Sequence, residues 1–159
     1  MSPVQFVADN FSLNPKTRTV WLTKENQSIA RLILGHTYRG LRVRYWQDGS
    51  KTGWIMDEIG KEKPITIGVV IDENKIQKIT ILEFRESRGG EVRHPFFTGQ
   101  FMGLSLVEGN KLSQRIDGIT GATLSVRAVS NVSRFALHLH HSLDLDETQE
   151  LQRLTMTER

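Results

Sequence analysis

Apolar positions recur along the chain with two different periods, and the switch between them marks its organisation. Thr23 precedes a stretch in which Ile29, Leu32 and Ile33 fall at helical spacing, with Gly35 just behind. A hydroxyl at the front and a glycine at the back predict one short helix. From residue 41 to 84 the spacing becomes strand-like. Val43, Tyr45 and residues 54–56 flank Asp48-Gly49, and apolar runs at 65–71 and 76–84 flank Asp72-Glu73-Asn74-Lys75. This predicts an antiparallel meander of four strands. A helical period returns near Thr123, where Leu124, Ala128, Val132, Phe135, Ala136 and Leu139 lie opposite Ser125, Arg127, Asn131 and Arg134. That is the pattern of an amphipathic helix.

The segments between are also informative. Residues 1–22 carry Pro3, Pro15 and two small apolar patches, and read as an arm lying over the domain. Residues 86–100 hold three glycines and a proline among charges and aromatics, a loop long enough to be functional. The polar tail from Asp144 to Arg159 has few apolar residues to dock it. The expected fold class is α+β: an antiparallel sheet packed by one or two helices. Residues 1–40 form arm and helix, 41–141 the functional domain and 142–159 a polar tail.

Composition narrows the chemistry. A chain of 159 residues, 38% hydrophobic and 25% charged, has enough apolar content for one folded domain. The net charge of +3 comes from 21 basic residues scattered among 18 acidic ones, which argues against nucleic acid as a partner. With no cysteine, structural disulfides, thiolate-held metal clusters and cysteine-linked flavin are excluded. The apolar runs are too short to cross a bilayer, so the chain as given is expected to be soluble. An upstream export signal or anchor stays open, which would make the protein periplasmic or membrane-associated; a cytoplasmic place is the alternative.

The segment Asp117-Gly118-Ile119-Thr120-Gly121-Ala122-Thr123 stands just before the last helix. A helix start exposes unpaired N–H groups and a partial positive charge, which together favour a phosphate by about 0.3–1 kcal/mol. Gly121 and Ala122 are small enough to let one approach. On local physics alone a plainer reading competes: Thr120 or Thr123 simply caps the helix and Asp117-Gly118 is a turn.

The pattern Asp-x-x-Thr-Gly-Ala-Thr resembles the modification motif of the FMN-binding domain family, found in subunits of sodium-pumping NADH:quinone reductases, Rnf complexes and regulators of nitrous-oxide reduction. Upstream, the two apolar strands, Glu86-Ser87-Arg88-Gly89-Gly90 and Phe97-Thr98-Gly99-Gln100-Phe101 follow the family's order, so the resemblance covers about residues 65–140. The family loop more often reads Glu-Thr-Pro-Gly-Leu-Gly, and Arg88-Gly89-Gly90 departs from it. The resemblance implies that FMN is joined through its phosphate to the hydroxyl of Thr123. Asp117, Thr120, Gly121, Ala122 and Leu124 would surround the link, and Arg88, Gly89, Gly90 and Phe97 would contribute from the loop. It further implies a flavin transferase, using FAD and magnesium, that reads the motif and makes the bond, and a membrane or soluble redox partner. The function it implies is electron transfer. The alternatives are a flavin-dependent reductase and an unflavinylated adaptor that docks on a membrane redox partner.

Covalent attachment suits an electron carrier, whose ring edge must lie near the surface and so buries too little area to be retained otherwise. Around the ring, Arg88, Arg93 or His94 are candidates to stabilise its reduced anionic form, and Trp54, Phe96 or Phe97 to stack on its face. His138, His140, His141 and Asp144 supply metal-ligating atoms, but on a helix only the i, i+3 pair converges, and a solvated helix end is the stronger reading.

Overall fold

In the computed structural model, residues 1–12 and 14–157 are described, with side chains through residue 143. Five strands form one antiparallel sheet in the order β1(Lys16–Trp21), β2(Arg42–Asp48), β3(Lys51–Ile59), β4(Pro64–Asp72), β5(Lys75–Phe84). The expected meander is therefore present and carries one strand more. The arm reading of residues 1–22 needs correction at 16–21, which pair with β2 as an edge strand. Alternating Thr17, Arg18, Thr19 and Val20 suit a pleated edge, but five of the six residues are exposed. With no buried face, the strand leaves no apolar alternation to read.

Helix α1(Pro3–Asn10) does lie over the sheet. Its Phe6 is fully buried and packs with Val70 and Leu82 on the face away from the main core. Two strand glycines make this possible. A Cβ on Gly68 would come within 2.5 Å of the Phe6 ring, and one on Gly53 within 2.7 Å of the Phe11 ring. Any side chain there would push the aromatics off the sheet.

On the other face, α2(Lys24–Leu34) and α4(Thr123–Thr157) cover the sheet. Helix α2 begins and ends as its sequence predicts: the Thr23 hydroxyl accepts from the Asn26 N–H, and Gly35 closes it at φ +81°. The apolar stripe of α4 supplies Ala128, Val132, Phe135, Ala136 and Leu139 to the core, against Trp54, Met56, Ile67 and Ile71 of the sheet. The interior strand β4, between β3 and β5, is covered on both faces, so its residues read as a nearly continuous apolar run. Glu73 and Asn74, both at positive φ, make the tight turn into β5. The tail expected from Asp144 onward continues as helix to Thr157, and its side chains lie outside the described residues.

After β5 the long loop is built of tight turns, a short helix α3(Pro95–Thr98) and a return past the sheet edge. There Ile76 donates its N–H to Leu104 and accepts from Gly103. A small hairpin, β6(Leu106–Val107) and β7(Lys111–Leu112), then leads into the Asp117–Thr123 segment.

Candidate functional site

The first helical residue of α4 is Thr123, and Ala122 accepts the first intrahelical bond, from the Val126 N–H at 3.0 Å. The capping position thus falls on a residue with no side-chain acceptor. Among the described residues, neither the Thr120 nor the Thr123 hydroxyl has a hydrogen-bond partner, and both residues are exposed. The capping role that competes with a phosphate site is not filled by either. The turn that delivers the helix is closed by Ala122 N–H to Ile119 at 3.0 Å, with Gly121 at φ +82° and open space where a side chain would be. A β-branched residue would be strained there, and the opening lies beside Thr123.

Gln100 holds the start of this segment. Its side-chain oxygen accepts from the Asp117 N–H at 2.7 Å, and its amide donates to the Asp117 carbonyl at 3.3 Å. The Asp117 backbone is fixed from both sides while its carboxylate stays exposed and makes no hydrogen bond or ion pair among the described residues. The sequence does not mark Gln100 for this role, because an amide pairing with a backbone two elements away leaves no local signature.

The glycine loop reaches the same helix start. Gly89, buried and at φ +89°, sits so close that a Cβ would lie 3.2 Å from Ser125 Oγ and 3.3 Å from Ala122 Cβ. The base of the loop is set by Glu86, whose Oε1 accepts from the N–H groups of Lys61, Glu62 and Lys63 at 3.1, 2.6 and 2.6 Å. Those bonds, led by the one from Lys63, hold its carboxyl below its ordinary value of 4.5. The stabilisation is therefore present above about pH 4.5 and is lost as pH falls through the lower folded value. Glu86→Gln is expected to melt at a lower temperature than the parent at neutral pH, with the gap closing on acidification. Thermal melts across that range check it, and a gap independent of pH would show that the charge is not what binds the turn.

The other sequence candidates separate. Arg88 is exposed, and Arg93 folds back on its own loop, donating to the Gly90 carbonyl at 3.3 Å with its guanidinium over the Phe84 ring. Phe97 is fully buried edge-on to Phe101, and Trp54 is fully buried in a stack with Tyr45. Neither offers a free face to a ring ligand. Phe96 is exposed and stacks on His94. The helix histidines diverge: His138 bonds Asn26 Oδ1 at 2.9 Å, and its pKa is lowered by burial, whereas His140 is buried against Thr52 Oγ1 at 2.7 Å. The side chain of Asp144 lies outside the described residues.

At 100° per residue, Leu124 and Arg127 stand on one flank of Thr123, and Ala122 and Ser125 on the other. The first flank borders a groove of about 1120 Å³ that also takes in Tyr38, Arg39 and Glu58. Glu58 is 7% exposed; its Oε1 is 2.8 Å from His36 Nε2, while its Oε2 is buried with no partner among the described residues. His36 Nδ1 lies 2.9 Å from the Thr37 carbonyl. That contact and the Glu58 carboxylate raise the imidazole pKa, against the pull of burial. Tyr38 is raised by burial and then by the charges of Asp57 and Glu58. Glu58 was missed in the sequence, although a signal exists: it shares the inward alternation of Trp54 and Met56, where a carboxylate is out of place.

A family model for the FMN-binding domain matches residues 60–138, which span the turn beneath Glu86, the glycine loop and the Asp117–Thr123 segment. The chain belongs to the FMN-binding domain family. Its fold is similar to the crystal structure of NqrC from Shewanella oneidensis, with a TM-score of 0.60 and 17% identity, over 84% of this chain and 82% of that one. Comparison with curated proteins gave no match. The α+β class and antiparallel sheet of the FMN-binding domain are thus as its sequence led us to expect. Among the described residues, no helix is long and apolar enough to cross a membrane.

Proposed function

We propose that this FMN-binding domain carries its flavin as a phosphoester on Thr123 and relays electrons between a reductase and an acceptor. The observation that carries the reading is the exposed Thr123 hydroxyl, without partner among the described residues, at a helix start whose capping position is Ala122. The backbone N–H groups of that first turn and the helix dipole would receive the phosphate. Bound there, FMN supplies a centre that takes up and releases electrons. The chain's own part is to fix the phosphate end, through the Gly121 turn, and to leave the ring accessible.

The similarity to NqrC supports a redox partner in a membrane complex; a periplasmic or membrane-adjacent position is part of the same proposal. In the electron-transfer reading, loaded protein bleaches reversibly with dithionite and reoxidises with a quinone or another generic acceptor. A groove beside Leu124 leaves room for the reductase reading as well. Saturable turnover of one small acceptor, without exchange with generic ones, would favour that reading.

The free carboxylate of Asp117 is the part of the motif that a flavin transferase would read, through the magnesium that accompanies FAD. Its backbone, not its side chain, carries the structural bonds to Gln100. Asp117→Ala is therefore expected to slow or stop flavin loading in co-expression while leaving the melting temperature nearly unchanged. Normal loading with a large loss of stability would assign Asp117 to the turn instead.

A further inference from the structure

We propose that the free edge of β1 takes up an extended acidic segment of a partner protein as an added strand of the sheet. The register with β2 shows which backbone groups are available. Leu22 donates its N–H to the Leu41 carbonyl at 2.8 Å, and the same pairing runs without a shift from Trp21↔Arg42 to Lys16↔Gln47. Directly opposite pairs in an antiparallel ladder alternate between bonded and unbonded, so Val20, Arg18 and Lys16 bond β2 as Leu22 does. The N–H and C=O groups of Thr17, Thr19 and Trp21 therefore point away from β2, and nothing bonds them among the described residues. At the opposite edge β5 is partly capped, since Ile76 bonds both Gly103 and Leu104. A row of unpaired donors and acceptors is a template for another strand.

Charge decides the kind of strand. Lys16 and Arg18 stand on β1 and Arg42 and Arg44 on β2 beside it, all exposed and without an ion pair among the described residues. Residues 16–22 and 42–47 contain no carboxylate to offset them. Trp21, 63% exposed with the Arg42 guanidinium 5.7 Å from its ring centroid, adds an apolar contact at the end of the row. A second copy of this chain is the wrong occupant. Paired about a two-fold axis at Arg18, the guanidinium groups would meet head-on; paired about one at Thr19, they would be diagonal neighbours on one face. An acidic strand meets the same charges with the opposite sign. A carboxylate opposite Arg18 lies on the face that also presents Lys16, and one opposite Thr19 shares the face of Arg44.

The test titrates the full chain against a fluorescently labelled peptide, Thr-Glu-Val-Glu-Val-Glu-Val-Thr, and reads anisotropy. Saturable binding that weakens as salt is raised is expected. The same peptide with lysine at each glutamate, or N-methylated at every valine and glutamate so that its edge cannot bond, should bind at least about tenfold more weakly. Thr19→Pro is expected to abolish binding. Proline suits an edge position whose N–H faces solvent, so this variant should fold, and its melting temperature is recorded. Arg18→Glu is expected to weaken binding by about tenfold, and serves if the proline variant does not fold. Loss in the folded variants supports the proposal. No binding of the acidic peptide up to about 1 mM overturns it, as does equal binding of the methylated peptide or by a folded Thr19→Pro variant. A dimer of the chain alone in sedimentation that Thr19→Pro dissociates overturns it in favour of a second copy. Binding to phosphatidylglycerol vesicles that Arg18→Glu removes, with none of the peptide, overturns it in favour of a membrane surface.

Discussion

If the flavin is joined to Thr123, Thr123→Val is expected to remove all denaturation-resistant flavin from the protein and to leave its fold intact. The fold should survive because Thr123 is exposed at the first position of α4, bonds nothing among the described residues and does not cap the helix. Valine is its near-isostere, and the expected change in stability is within about 0.5 kcal/mol. The flavin is lost because the methyl that replaces the hydroxyl cannot form a phosphoester. Intact mass after denaturation reads the result directly: the parent gains one FMN less one water and the Val variant gains nothing. Thr123→Ser restores the gain, since a hydroxyl is all that the bond requires. A Val variant that still holds flavin after denaturation would move the link elsewhere, with the exposed His94 the first suspect.

The parts of this architecture legible in the sequence are those in which one residue type answers one local need. Thr23 and Gly35 bounded α2 because a cap and a left-handed stop each act within a turn. The β4–β5 hairpin showed itself through two apolar runs around a polar turn, and α4 through an apolar stripe of which five residues reach the core while Leu124, at its start, is exposed. What stayed hidden depends on distant partners. The β1 strand has no buried face, so its place at the sheet edge comes from pairing with β2 across α2. Gln100 gains its role from Asp117, and Glu86 from three N–H groups more than twenty residues away. Phe97 and Trp54 illustrate the converse. Aromatics near a motif suit either a ligand or a core, and only the packing against Phe101 and Tyr45 shows which contact they make. Glu58 lies between the two cases, since strand alternation marks its position as inward but does not reveal the groove behind it.

Protein made where no flavin transferase is present is expected to be folded, colourless and unmodified, and a transferase supplied with FAD and magnesium is expected to load one FMN. The fold gives the first half: Thr123 is exposed, and the core beneath it is closed by Ala128, Val132 and Phe135 packed with the sheet. The second half follows from phosphoryl chemistry. A threonine hydroxyl is a poor nucleophile at neutral pH, and the FAD pyrophosphate repels anions until a metal neutralises it. Self-modification would need a base within hydrogen-bond reach of the Thr123 hydroxyl and a set of ligands to hold that metal. Among the described residues nothing hydrogen-bonds the hydroxyl, and no three histidine, aspartate or glutamate side chains gather into such a set. The helix start can receive the phosphate once transferred, but it has no group placed to activate the attack. Incubation of the colourless protein with FAD and magnesium, with and without the second enzyme, followed by denaturing mass analysis, separates the cases. One FMN per chain only when the transferase is present is the expected result, whereas loading by FAD and magnesium alone would mean that this chain activates its own threonine.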